Sequence, residues 1–349
     1  MQQWRGNLPE ADRKLEESMQ ICRREEYKDS LAQNLLWLNA QAYWQGNISR
    51  AIPFCQESLA VSREIHDGLS ELFNLAFLCL EYGSLGDYDQ AFTVLYEGMA
   101  KAKERKNKFI LGRLTNTLGW FHRELGDFSR ALEFDLESME IGRMHRIDNV
   151  EISALINLGF DYFALGQHER ALSYLEPTLE RVEREAFGSH RWRWKAKLPI
   201  GLAELSYVSG AYEEALRQVD EGIKVAQDSS SQKYVAKGRV LRGKIVAKLG
   251  DSDAAGTELQ RAFTLAEQLR SPTIVYPAAY DLGQWYETTG QEKKAAMLYG
   301  KAKAAAEHIA ATIKDETLSA IFHQSAPVQE IYDCASRLGS QTPPASLGT

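Results

Sequence analysis

One glycine recurs along this chain at almost constant spacing, and it constrains the fold more than any other feature. It stands at Gly6, Gly46, Gly86, Gly126, Gly166, Gly210, Gly250 and Gly290; six of the seven intervals are 40 residues and one is 44. Five residues after each comes an alanine, from Ala11 and Ala51 through to Ala295. A fixed period of this length marks a stack of similar supersecondary units, each burying its apolar face against its neighbours. Glycine suits the left-handed backbone that ends a helix. The Asp, Asn, Ser or Glu residues that follow suit the first turn of the next helix, where unpaired N–H groups and the dipole favour acceptors. The alanine is small enough for two helices to cross closely.

A second pattern lies upstream of the glycines. Leu118-Gly119, Leu158-Gly159 and Leu282-Gly283 precede them at fixed offset, with Tyr162 and Tyr286 three residues beyond. The alanines head pairs such as Ala91/Leu95, Ala171/Leu175 and Ala295/Tyr299. Nine prolines and an abundance of Ala, Leu, Glu, Lys and Arg favour helix throughout. Together these residues resemble tetratricopeptide (TPR) repeats over residues 6–311. The resemblance implies an all-α, right-handed α-solenoid whose first helices line a concave face. The sequence departs from the family in a period of 40 instead of about 34 and in lacking the proline near the end of each second helix. Both helices of a pair are therefore expected to be longer by about a turn.

The spacing predicts first helices at 28–45, 68–85, 108–125, 148–165, 190–209, 232–249 and 272–289. Residues 1–27 read as a half repeat, 28–313 as seven helix pairs, 314–338 as capping helices and 339–349 as a disordered tail. Gly6 has five residues before it, which suggests the C-terminal part of a longer chain; the alternative is a true start at Met1 with a simple cap over 10–26. The 40-residue period, the basic-aromatic run His190-Arg191-Trp192-Arg193-Trp194 and the ending Leu318–Phe322 with Pro327-Val328 also resemble the C-terminal TPR-like region of bacterial multidomain STAND/AAA-type signal-transduction ATPases. That resemblance implies a sensor array that reports occupancy to an upstream ATPase or output domain.

Several function classes are disfavoured. A net charge of -7 and a pI of about 5.7 argue against nucleic-acid binding by the whole surface. No apolar run is long enough to span a membrane, and the first residues carry no secretory signal. Cys22, Cys55, Cys79 and Cys334 are scattered without a metal-ligand spacing and read as reduced thiols of a cytoplasmic protein. No HExxH or Gly-x-Ser-x-Gly pattern points to an enzyme, and no cofactor is implied. Gly238–Ile245 nearly spells a phosphate-binding loop, but it falls inside a helix and has Ile245 where magnesium needs a hydroxyl.

The concave face is left as the working surface. Positions thirteen, ten, six and three residues before each glycine form one helical stripe. In the third and fourth rows this stripe gives Arg113, Asn116, Trp120 and Arg123, then Ser153, Ile156, Phe160 and Phe163, with Asn157 one position round. Donors beside ring faces suit an acidic or carboxylate-ended peptide, or a stacked sugar. The plainer reading packs Trp120, Phe160 and Phe163 between helices. A secondary patch is His190, Arg191, Trp192, Arg193 and Trp194 at the 44-residue unit: either a site for an anion, nucleic acid or partner, or a cover over a widened joint. Lys101, Lys103, Arg105, Lys106 and Lys108 read as a solvated helix end complementing the dipole. The function expected is a regulatory scaffold binding a protein segment in its groove; the alternative is a sensor of a sugar-like effector. A peptide groove is expected to be an open channel, a small-molecule site a closed pocket of a few hundred Å³.

Overall fold

The computed structural model describes residues 8–184 and 191–339. Among them every regular element is a helix. A single helix, α1 (Leu8–Arg24), precedes seven antiparallel pairs. These are α2 (Lys28–Gln45) with α3 (Ile48–Glu64), α4 (Gly68–Ser84) with α5 (Tyr88–Glu104), and α6 (Lys108–Glu124) with α7 (Phe128–His145). Next come α8 (Asp148–Ala164) with α9 (His168–Arg184), α10 (Arg191–Val208) with α11 (Tyr212–Asp228), and α12 (Gln232–Lys248) with α13 (Ser252–Leu269). The last pair is α14 (Pro272–Thr288) with α15 (Glu292–Ala310), followed by α16 (Glu316–Gln324) and α17 (Ala326–Gly339). Each first helix starts and ends within one residue of the span the glycine spacing predicts. Gly6, His190 and residues 340–349 of the expected tail lie outside the described residues.

The corners work as the repeat chemistry requires. The glycines from Gly46 to Gly290 all have positive φ, from 71° at Gly86 to 92° at Gly250. Asn47, Asp87, Asn107, Asp127 and Asp251 each accept a backbone N–H from the residue three further on, satisfying an orphan donor of the helix they cap. Ala51, Ala91, Ala131, Ala171, Ala215, Ala255 and Ala295 are fully buried where the pair crosses. Opposite them the Leu-Gly glycine admits the partner helix: a Cβ on Gly159 would sit 2.4 Å from Leu175 Cδ2.

The turns between pairs are built differently. Glu26, His66, Lys106, Arg146, Ser230 and Arg270 occupy the left-handed region there, with φ between 51° and 58°. A side chain in this region costs roughly 1–2 kcal/mol relative to glycine. Arg146 is exposed, so Arg146→Gly is expected to stabilise the array by about 1 kcal/mol, read as a higher denaturation midpoint.

The superhelix curls until its end rests on its beginning. Ser271 Oγ donates to the Ser84 carbonyl at 2.7 Å, and Thr312 Oγ1 donates to the Gly86 carbonyl at 2.8 Å while accepting from Tyr88 N. Leu269 abuts Gly46, and Ile321 and Ser325 abut Gly126. Ile309, Ile313, Leu318 and Phe322 share one apolar core with Leu72, Leu95, Leu118 and Leu125. The glycine corners of the early pairs thus form the seat for α13 to α16. The concave face is thereby half-enclosed, between the open channel expected of a peptide groove and the closed pocket expected of a small-molecule site.

Candidate functional site

The half-enclosed face surrounds a cavity of about 650 Å³ lined from α2, α4, α6, α8, α10, α12 and α14. All seven groove residues named from the sequence line it: Arg113, Asn116, Trp120, Arg123, Asn157, Phe160 and Phe163. Their roles differ from the simple picture of donors waiting for a ligand. Asn116 Nδ2 donates to Asp135 Oδ1 at 2.5 Å, and Arg123 Nη1 donates to Asp161 Oδ1 at 2.7 Å with Asp135 Oδ2 at 3.6 Å. Asn157 donates to the same Asp135 Oδ1 and accepts from Lys197 Nζ at 2.6 Å. Asp135 and Asp161 are fully buried. Burial opposes the Arg123 charge, but Asp161 and Asp135 outweigh it and hold the guanidinium protonated. Burial, together with the Asp161 carboxylate, pushes Asp135 well above the usual carboxylate range. The amides and Arg123 therefore form a floor that fixes the cavity wall.

The aromatic residues split. Phe160 packs against Gly201 of α10, and Phe163 lies 5.5 Å from the His168 ring, so both also join helices. Trp120 donates Nε1 to Glu124 Oε1 at 3.0 Å, which orients that carboxylate toward Lys237 Nζ at 3.3 Å. Arg113 lies over the Phe77 and Phe109 rings at 5.8 and 5.6 Å.

The secondary patch is not a separate site. Arg191 turns back to donate to the Val182 and Glu183 carbonyls and ties off α9. Trp192 meets Trp44 edge-on across the superhelix at 5.7 Å. Arg193 lies over the Trp44 ring at 4.9 Å, and buried Trp194 donates to Ser153 Oγ at 3.2 Å. Arg193 and Trp194 line the same cavity as Arg113 and Phe160. Arg193 is not in solvent, because the curl brings α2 opposite the start of α10. Of the basic run at the end of α5, Lys101 and Arg105 pair with buried Glu71 at 3.0 and 2.7 Å, holding it low against its burial at a pKa of about 2, while Lys103, Lys106 and Lys108 are exposed.

One row of the inward stripe was missed from the sequence, which placed Arg193 in the secondary patch and did not single out Lys233. Arg193 and Lys233 each stand seventeen residues before their glycine, one turn further along the inward stripe. Extending the offsets by that turn finds them. Lys233 Nζ sits among four rings, 5.0 Å from Tyr43, 5.4 Å from Trp44 and Tyr234, and 5.9 Å from Trp120. Lys244 of the rejected phosphate-loop motif lies within α12 and pairs with Asp281 at 3.6 Å. Among the described residues no helix is long and apolar enough to cross a membrane, and no cluster of three His, Cys, Asp or Glu is placed to hold a metal.

Paired helices, glycine corners and a concave face lined by the first helix of each pair define an all-α helical-repeat solenoid; the chain is an array of TPR type. Two family models match parts of it: Tetratricopeptide repeat over residues 152–186 and Anaphase-promoting complex subunit 5 over residues 65–125. Response regulator aspartate phosphatase I of Bacillus subtilis (strain 168) is 28% identical over 148 residues, which is 42% of this chain and 34% of that protein. The match thus spans about a third of that relative's length. The structure of NprR in complex with its cognate peptide NprX aligns over 89% of this chain and 84% of that one, with 15% identity and a TM-score of 0.57. A Signal Transduction ATPase with Numerous Domains (STAND) protein with a tetratricopeptide repeat sensor, from Pyrococcus horikoshii, aligns over 83% of this chain and 45% of that one, with 12% identity and a TM-score of 0.51. At these identities the two structures establish the fold.

Proposed function

We propose that this chain is a regulatory TPR receptor that binds a short protein or peptide segment inside its half-enclosed superhelix and does not catalyse a reaction. The observation that carries this reading is the cavity of about 650 Å³ with polar and aromatic groups presented from successive first helices. Its size falls in the range of ligand pockets, about 300–1,000 Å³, so the occupant is a short segment and not a long extended chain. The likeness to a peptide-bound TPR regulator supports the same reading. Occupancy has a natural readout. The cavity walls include Tyr43 and Lys233, whose 3.2 Å hydrogen bond belongs to the closure between the ends of the array. A ligand that alters this closure changes the surface offered to a further domain or partner. A sugar-like effector is less well served, because Lys233 and Arg193 already cover the Trp44 face.

Selection of a displayed library of short linear peptides on the full chain tests the reading. The expected result is an enriched consensus that binds 1:1 and changes tryptophan fluorescence. Val240 lines the cavity, and Val240→Trp is expected to fill it and abolish capture without unfolding the array. Equal enrichment on wild type and Val240→Trp would overturn the proposal.

A further inference from the structure

We infer that the cavity is a receptor for a polyanion: its ligand carries at least two negative charges, seated between Arg113, Arg193, Lys197 and Lys233. This rests on reading the cavity as a ligand site, and it specifies the chemistry of what enters.

The cavity wall holds seven Lys and Arg side chains against three carboxylates, in a chain whose overall formal charge is -7. Positive charge has been gathered inward while the molecule as a whole is acidic. Three of the seven cations have local partners: Arg123 with Asp161, Lys237 with Glu124 and Lys244 with Asp281. The remaining four have no carboxylate within ion-pair distance among the described residues. What they touch instead is neutral. Arg113 rests on Phe77 and Phe109; Arg193 reaches Ser153 Oγ at 3.5 Å and covers Trp44. Lys197 donates to Asn157 and lies 4.8 Å from the Phe160 ring; Lys233 donates to Tyr43 within its ring of aromatics. The third lining carboxylate, Glu204, has no ion-pair partner among the described residues, and burial raises its pKa, so it is a weak counter-charge.

Four cations converging on one half-enclosed space repel each other, and taking them out of bulk water without counter-ions is costly. Burial, aided by Arg123 and Arg193 and only partly offset by Asp135, disfavours the charged form of Lys197; burial, aided by Lys237 and Arg193 and only partly offset by Tyr234 and Glu124, does the same at Lys233. The array tolerates this arrangement in the way binding sites tolerate strain, with the compensation arriving in the ligand. The two guanidiniums offer fork-shaped donors and the two ammoniums point charges, a set matched to carboxylate or phosphate oxygens. Both sources share oxyanion chemistry: a pair of acidic side chains or a terminal carboxylate in a peptide, or a phosphate ester.

Citrate and pyrophosphate are compact probes of the two sources. Each is titrated into the full chain at constant ionic strength, balanced with sodium chloride to remove general screening. Tryptophan fluorescence and the thermal midpoint are read. At least one probe is expected to give a saturable change and a higher midpoint; citrate alone points to carboxylates, pyrophosphate alone to phosphate. Lys197→Met and Lys233→Met are each expected to weaken that binding about tenfold or more. Without any polyanion, Lys197→Met is expected to melt no lower than wild type, since an uncompensated charge has been removed; Lys233→Met also loses the closure bond to Tyr43 and is read by binding alone. A merely structural lysine behaves oppositely, and a lower midpoint for Lys197→Met overturns the inference. So does the absence of a saturable response to either probe. If the selected peptides are neutral or basic and bind Lys197→Met as well as wild type, the peptide reading survives and the polyanion inference falls.

Discussion

Replacing Arg123 with methionine is expected to cost about 3–5 kcal/mol of stability, because it strands the buried acid pair Asp135 and Asp161 without their cation. In thermal denaturation followed by helical circular dichroism the midpoint falls on the order of 10 °C. The contrast with Lys197→Met sharpens the expectation. Both residues line one cavity, but Arg123 is held by 2.7 Å and 3.6 Å contacts to carboxylates, and Lys197 meets only an amide and a ring. Removing a compensated charge leaves its partner orphaned, whereas removing an uncompensated one relieves the wall. Adding Asp161→Asn to the Arg123→Met protein is expected to recover part of the loss, since one stranded carboxylate has gone. A loss below about 1 kcal/mol for Arg123→Met would show that water reaches the pair.

The second large effect belongs to Glu81, in the core of α4. It is fully buried, its Oε1 accepts from Asn39 Nδ2, and its Oε2 has no hydrogen-bond partner among the described residues. Burial raises its pKa from 4.5 to about 8. The folded state therefore keeps a proton that the unfolded chain releases from about pH 4.5 upward. The sign follows: stability associated with Glu81 is fully present below about pH 4.5 and is lost as pH rises through about 8. The slope approaches about 1.4 kcal/mol per pH unit within that window. Glu81→Gln keeps the acceptor for Asn39 and removes the titration. Urea midpoints at successive pH values between 5 and 8 are expected to fall for wild type and to fall less steeply for Glu81→Gln. Parallel curves would exclude a neutral Glu81 in the folded state.

These two positions also show what was legible in the sequence. The corners were, because a left-handed glycine and an acidic cap act within one turn and depend on nothing distant. The inward stripe over Arg113–Arg123 and Ser153–Phe163 was legible for the same reason: helical periodicity fixes it. The buried acids left a signal that went unread. Asp135 stands four residues after Ala131, in the slot that Leu95, Leu175 and Tyr299 fill elsewhere, and Asp161 and Glu81 share the offset from their glycines that Phe121, Leu205 and Ile245 occupy with apolar side chains. An acid in a core slot announces a buried partner. Closure of the superhelix left no such mark. It depends on small rotations accumulated over seven pairs, and it joins Ser84 to Ser271 and Gly86 to Thr312 through contacts with no periodic signature. That is why Arg193 read as part of a secondary patch and proved to face Trp44.

The closure changes the physics of the array. A linear stack of repeats is a nearest-neighbour chain that frays from either end and can melt in segments. Here the seam between Gly86 and Thr312 ties segments more than two hundred residues apart into a ring, so loss of the last pair also unseats the corner of the second. Such a seam is a high-separation contact and forms after the local hairpins, as a slow final step. The protein that results is a chain of local units whose cooperativity is set by one non-local joint.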